Sequence, residues 1–306
     1  MSAQCLKAVN VMQKIDRRKF IGGSDVAAIL GLSPWKTPLE LYEEKIMPRS
    51  PLPDKNKERI FARGKIMEPY VLRLFKRENG LKIAARNRRY IDDEYDFLRA
   101  EIDAETVDGE NIEIKTCNPF KAKLWGEEHT DEIPLFYTAQ AMHGLMITKR
   151  DVCHFGVLIG SDDFRTYIVK RDNELIDMIR SKEVEFWRRI QNRNPPPATS
   201  MDDIARLYKT NSGKTIEAST DVLCACNDLL EIKKRLSVLT KKKEELEEKI
   251  KLFMADATEL KSGRTTLATW RPQNKQTLDQ LLFKESHPDI YEKFTKTVES
   301  RVFRLK

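Results

Sequence analysis

Residues 99–115, Arg-Ala-Glu-Ile-Asp-Ala-Glu-Thr-Val-Asp-Gly-Glu-Asn-Ile-Glu-Ile-Lys, constrain the fold more than any other segment, because they read as two short strands joined by a turn at 107–110. Glu113 and Lys115 are two apart, so a strand projects them from one face while Ile112 and Ile114 project from the other. A hairpin connection brings Asp103 back beside Glu113, so that two carboxylates converge with an ammonium. Such a group suits Mg²⁺ or Mn²⁺, which relieve carboxylate repulsion, prefer oxygen ligands and leave positions open for water and phosphate oxygens. The lysine can orient or activate a water there, while the metal polarises the phosphoryl group and stabilises the leaving oxygen. A solvated hairpin of alternating charge shows the same pattern, so neighbouring motifs must decide.

Ile66 to Lys76 carries Met67, Val71, Leu74 and Phe75 at helical spacing, with Pro69 tolerable in a first turn and Gly80 as a stop. This puts Glu68 near a helix start, where it either faces a neighbouring site or complements the helix dipole. Upstream, Gly22-Gly23-Ser24-Asp25 precedes the apolar run 26–30. Ser24 or its neighbour is therefore a candidate cap, and such a helix start binds anions. Arg17 lies seven residues before Ser24, in a basic run that is equally readable as surface. Gln140 and Tyr137 share roughly one face of a helix over 134–146. His143 and His154 have no His or Cys partner at zinc spacing and read as ordinary side chains.

The Asp103, Glu113-x-Lys115 arrangement resembles the PD-(D/E)xK nuclease superfamily, and the surrounding text resembles its lambda-exonuclease or YqaJ-type viral recombinase branch. Arg17 to Val26 with Leu32-Ser33-Pro34-Trp35 looks like the family's opening signature. Arg63-Gly64-Lys65-Ile66-Met67-Glu68-Pro69 looks like its helical Arg-Gly-x-x-x-Glu block, and Tyr137-Thr138-Ala139-Gln140 follows downstream. The blocks keep the family's order over roughly residues 14–170; the chain departs from it in having Glu101-Ile102, not proline, before Asp103.

The resemblance implies an α/β, restriction-endonuclease-like core: a mixed central sheet flanked by helices. It implies a 5′-to-3′ exonuclease that degrades one strand of linear double-stranded DNA and leaves a 3′ single-stranded tail. One or two Mg²⁺ ions would be held by Glu68, Asp103 and Glu113 with the Ile114 carbonyl, with Lys115 assisting the water and Gln140 in support. Arg17 and Ser24 would hold the terminal 5′ phosphate, and Arg63 and Lys65 would touch DNA. A ring-shaped homotrimer and a single-strand annealing protein are the implied partners.

The net charge of +7 and a pI near 9.0 favour a polyanionic partner modestly, since 48 acidic residues offset 55 basic ones. Clusters at Lys55, Lys57, Arg59, Arg63 and Lys65, and at Arg86, Arg88 and Arg89, could track a DNA backbone or serve solubility. The cysteines, Cys5, Cys117, Cys153, Cys224 and Cys226, are odd in number and form no paired framework, which points to free thiols in the reducing cytoplasm of a bacterial or phage-infected cell. No apolar stretch has the length of a membrane span or a signal peptide.

Helices are expected near 23–31, 37–46, 66–78 and 134–147, strands near 88–92, 97–103, 110–116, 152–159 and 165–169, and a further helix over 173–191. Pro195-Pro196-Pro197 ends that helix, so 195–200 reads as a linker between a nuclease domain at 1–194 and an extension at 201–306. In the extension Leu229, Ile232, Leu236, Leu239, Leu246, Ile250 and Phe253 fall on a and d heptad positions, interrupted by Lys243. A long coiled-coil-like helix, half of a hairpin, is expected, followed by strands at 265–271 and 300–306 with helix over 279–297. Lambda exonuclease lacks a tail of this size. Two other readings stay open: a structure-specific endonuclease on the same fold, and an inactive DNA-binding recombination scaffold.

Overall fold

A computed structural model describes residues 16–47, 55–297 and 300–306; Cys5 and the side chain of Lys57 lie outside the described residues. The chain divides into two compact units, 1–207 and 208–306.

The first unit is a six-stranded mixed sheet between helices. Its strands are β1 (Ile21–Gly22), β2 (Ile83–Ile91), β3 (Leu98–Thr106), β4 (Asn111–Cys117), β5 (Val152–Ile159) and β6 (Asp163–Lys170). The order runs β1-β3-β4-β5-β6, with β2 also on β3. β4 and β5 pair in parallel while β3/β4 and β5/β6 are antiparallel, so the sheet is mixed as the resemblance implies. The helices are α1 (Gly23–Ile29), α2 (Pro38–Ile46), α3 (Lys55–Asn79), α4 (Leu135–Thr148), α5 (Asn173–Gln191) and α6 (Met201–Leu207). On one face Ile112, Ile114 and Leu158 pack against Val71, Leu72 and Phe75 of α3. On the other, Ile102, Phe155 and Val157 join residues of α1, α4 and α5, such as Val26, Leu145 and Ile179. Gly156 keeps the first packing tight, since a Cβ there would stand 3.0 Å from Phe75 and 3.1 Å from Ile114.

Four expectations are corrected. α3 begins by Lys55, not at Ile66, so Glu68 and Pro69 sit inside the helix and the dipole reading of Glu68 falls away. Its first part escaped the periodicity because Ile60 and Phe61 are exposed among charges and bury no stripe. The expected linker at 195–200 is not the division. Pro196 is buried, and α6 returns to the first unit through Asp203, which accepts from Thr37 Oγ1 at 2.8 Å and from Thr199, while Arg206 pairs with Glu40 and Glu43 at 3.0 and 2.9 Å. The third concerns the extension, where the described residues contain one long helix and no helical hairpin.

That second unit holds α7 (Thr220–Met254), the antiparallel pair β7 (Glu259–Ser262) and β8 (Thr265–Thr269), then α8 (Gln280–Ser286) and α9 (Pro288–Phe294). Ser219 caps α7 by accepting from the Val222 N–H. The strand expected at 300–306 is absent; its described residues are irregular. Among the described residues no helix is long and apolar enough to cross a membrane.

Candidate active site

The site lies where β3 leaves β4. Their pairing covers only Ala104 with Ile112 and Glu105 with Asn111. One step further, where the register sets Asp103 opposite Glu113, the backbone ladder stops and the Ile114 N–H donates to Asp103 Oδ2 at 2.8 Å. The N–H and C=O of one strand residue point to the same edge, so the Ile114 carbonyl faces the gap beside Asp103. A side-chain carboxylate thus replaces a backbone acceptor, and the strands can splay there without orphaning a donor.

The charged face of β4 is not solvated. Glu113 is only 4% exposed and lies beneath α4, with Asp103 and Lys115 half-buried. Glu113 Oε2 accepts from Lys115 Nζ at 2.6 Å and from the Gln140 amide at 2.8 Å. Lys115 Nζ also stands 5.3 Å from the centre of the Tyr137 ring. A surface hairpin does not bury two acids and a lysine in this way. Burial, against the pull of Lys115 and with the push of Asp103, raises the Glu113 carboxyl to about 7, and burial raises Asp103 as well. Burial alone would lower the Lys115 ammonium, but Glu113 and Asp103 outweigh it and hold it firmly protonated. Lys115 is therefore a donor at this site and not a resting base.

Glu68 approaches from α3; its carboxyl is raised by partial burial and by the Asp103 charge, while Lys115, Lys65 and Arg86 act against that rise. Among the described residues no three or more His, Cys, Asp or Glu side chains close up as a metal cage. The donors that do converge, two carboxylates beside a backbone carbonyl, suit a cation that binds through one or two carboxylates and keeps its waters, as Mg²⁺ does. Two buried acids with one lysine also leave negative charge that such a cation would relieve.

Arg17 and Ser24 meet as well: an Arg17 Nη donates to Ser24 Oγ at 2.6 Å, and both side chains are exposed. Ser24 is not the cap expected from the sequence. α1 starts at Gly23, and Asp25 Oδ2 accepts from the Gly22 N–H, so Ser24 sits within the first turn with its hydroxyl free to face Arg17. Arg63 and Lys65 are exposed on α3. In the other basic cluster Arg89 is bonded to Glu101 and Arg88 lies 3.9 Å from Glu105, so two of its three arginines are engaged within the sheet.

A family model described as a YqaJ-like viral recombinase domain matches residues 14–151. YqaJ of Bacillus subtilis (strain 168) is 34% identical over 302 residues, which cover 95% of this chain and 92% of that protein. The chain belongs to the YqaJ-like viral recombinase family. Among solved structures, an alkaline exonuclease from Laribacter hongkongensis is 18% identical with a TM-score of 0.48, covering 58% of this chain and 91% of that one. A phage-related exonuclease from Haemophilus somnus is 15% identical with a TM-score of 0.40, covering 56% and 94%. Both are partial likenesses.

This YqaJ-like chain also supports its site with His143, which the sequence reads as an ordinary side chain and the structure corrects, and with Glu183, Lys45 and Asp25, to which the sequence assigns no role. His143, one turn beyond Gln140 on α4, is fully buried: Nδ1 meets Glu183 Oε1 at 2.6 Å and Nε2 meets the Arg99 carbonyl at 2.9 Å. A carbonyl only accepts, so Nε2 carries a proton; burial would lower the imidazole, but Glu183 outweighs it and raises it. Glu183 Oε2 is buried with no hydrogen-bond partner. Lys45, on the buried stripe of α2 with Leu41 and Tyr42, spends its three donors on the Arg17 and Phe20 carbonyls and Asp25 Oδ2, at 2.7, 2.6 and 2.7 Å. Asp25, though buried, is kept below the usual carboxylate range by Lys45 and Arg17. The lysine in an apolar i, i+4 stripe was the available signal for this second network.

Proposed function

We propose that the chain is a Mg²⁺-dependent deoxyribonuclease that degrades one strand of linear double-stranded DNA from its 5′ end, leaving a 3′ single-stranded tail for recombination. The observation that carries this reading is the group at the β3/β4 splay, where Glu113 accepts from Lys115 and Gln140 and Asp103 accepts from the Ile114 N–H beside them, in a chain of the YqaJ-like family. Asp103, Glu113 and the Ile114 carbonyl would hold one or two ions, Mn²⁺ being a possible substitute, with Glu68 as the outer acid. The ion, when bound, polarises the scissile phosphate and stabilises the leaving oxygen. Lys115 holds the attacking water by donating to it, and Gln140 fixes the Glu113 carboxylate. Water adds to phosphorus as the bond from phosphorus to the 3′ sugar oxygen breaks, the water giving its proton to solvent and the leaving oxygen taking one to end as a hydroxyl.

Arg17 and Ser24 would take the terminal 5′ phosphate, which supports end-dependence over internal cutting, because a guanidinium and a hydroxyl together match phosphate oxygens. Arg63 and Lys65 would follow the backbone. The family resemblance is the support for a homo-oligomer of three, an annealing-protein partner and a cytoplasmic setting.

The deciding experiment incubates the protein with Mg²⁺ and linear duplex carrying or lacking a 5′ phosphate, beside a closed circular plasmid and the Asp103→Ala protein. Loss of linear DNA alone, faster with the phosphate and absent in the variant, is expected. Cutting of the closed circle would replace this reading with an endonuclease, and silence on every substrate would favour a scaffold.

A further inference from the structure

The heptads of α7 are not used by the activity above, and their exposure is unusual. Ile232, Leu236, Leu239 and Leu246 are 52, 56, 61 and 53% exposed, and Phe253 reaches 78%. Met254 is the buried residue of this 35-residue helix. Helices of this length draw most of their stability from burying an apolar stripe, and a continuous exposed stripe marks an interface. What the second unit does place against α7 stands on another side. Trp270, just past β8, shares a groove with Glu244, Glu248 and Leu252, the b, f and c positions of the heptads, and with Glu247 at the e position on its rim, and the a/d residues Leu246, Ile250 and Phe253 do not line it.

We infer that α7 pairs in register and in parallel with α7 of a second copy of this chain. Charge selects this occupant and orientation. Flanking the stripe, the g positions are Asp228, Arg235, Lys242 and Lys249, and the e positions are Lys233, Thr240, Glu247 and Met254. In a parallel in-register pair each g faces the e five residues later on the other helix, which sets Asp228 against Lys233 and Lys242 against Glu247, with no like-charged pair among the g and e positions, while at the a layer Lys243 meets its own copy and must turn outward. In the antiparallel register that covers the whole stripe, g faces g: Asp228 meets Lys249, but Arg235 meets Lys242, twice by symmetry, which cancels the gain. Lys243, at an a position, points to two strands over three. Beside one partner helix its long stem can carry the ammonium outward to Glu247, 3.2 Å away on its own helix, whereas a third strand would enclose it. This inference is independent of the nuclease reading: pairing through α7 doubles whatever assembly the first unit forms, a ring of three included.

Sedimentation equilibrium of the full-length protein tests it. The wild type should have twice the mass of a Leu236→Lys/Leu239→Lys double variant. Glu247→Lys, which sets lysine against Lys242, should weaken the association, and adding Lys242→Glu should restore it, a rescue that general damage to the fold would not give. For orientation, Leu229→Cys in a Cys224→Ser/Cys226→Ser background should cross-link under mild oxidation. A parallel pair sets the two sulfurs side by side, whereas the antiparallel one separates them by about 36 Å at 1.5 Å per residue. Equal masses for wild type and double variant would overturn the pairing, a threefold drop would overturn the two-stranded state, and failure to cross-link despite association would overturn the parallel register.

Discussion

The β4/α4 face and the α7 stripe are mirror images in their chemistry. The first buries Glu113, Lys115, His143 and Glu183 among apolar residues, and the second exposes Leu236, Leu239 and Phe253 to solvent. A fold seeking only stability would do neither, because buried ions cost desolvation and exposed apolar surface forgoes the hydrophobic gain. The difference lies in what completes each region. The buried charges already have protein partners, with a remaining excess of carboxylate that suits a cation, whereas the leucines of the stripe stay exposed among the described residues. The first region therefore reads as a site for small charged groups and the second as a surface for another chain.

The strongest way to break this contrast is to remove one partner of a buried pair. His143→Ala should leave the Glu183 carboxylate buried without its cation, costing about 3–5 kcal/mol and lowering the melting temperature of the first unit by roughly 10 °C. Because Glu183 raises the imidazole, the pair's contribution is complete below the unfolded pKa near 6.5 and fades as pH rises through the folded value. The wild-type advantage over His143→Ala should accordingly shrink in alkaline buffer; an advantage that grows there would show the histidine to be neutral. Lys115→Ala comes next, with a fall in kcat of about 10²–10³-fold and little change in DNA affinity, since the ammonium acts on the attacking water. A loss confined to KM would move Lys115 from chemistry to binding.

Acidity probes the same buried carboxylates more gently. Glu113, raised to about 7, takes up a proton on folding, so its stabilising contribution is present below the ordinary carboxylate pKa and is lost as pH rises through about 7. A cation bound there competes with that proton. Mg²⁺ should therefore raise the melting temperature more at pH 8 than at pH 6, with an affinity that weakens about tenfold for each unit below 7. Equal shifts at both pH values would place the ion elsewhere.

How much of this was legible in the sequence depended on range. Asp103, Glu113 and Lys115 were readable because a period of two and one turn fix their relation, and Gln140 was readable through its motif. The pairs His143 with Glu183 and Lys45 with Asp25 were not, since their partners lie 40 and 20 residues apart and meet only when helices pack. The proline run at 195–197 correctly ended α5 but misplaced the division, because local backbone rules cannot see Asp203 reaching back to Thr37 across 166 residues. The heptads were legible at once, and what the structure added was that they stay open.

The smallest expected effect sharpens the link between the phosphate pocket and the carboxylates. Gly23 begins α1 directly beside Ser24, and α1 packs on α4 so closely that a Cβ at Gly23 would stand 3.1 Å from Gln140 Cγ and 3.5 Å from His143 Cδ2. Gly23→Ala should push the Gln140 side chain by a few tenths of an ångström and loosen its bond to Glu113 while leaving Arg17 in place. The expected result is a fall in kcat of about tenfold, the equivalent of roughly 1.4 kcal/mol, with the preference for a 5′ phosphate kept. Loss of that preference instead would mean that the added methyl group moves α1 and Ser24, and that the rigid partner in this contact is α4.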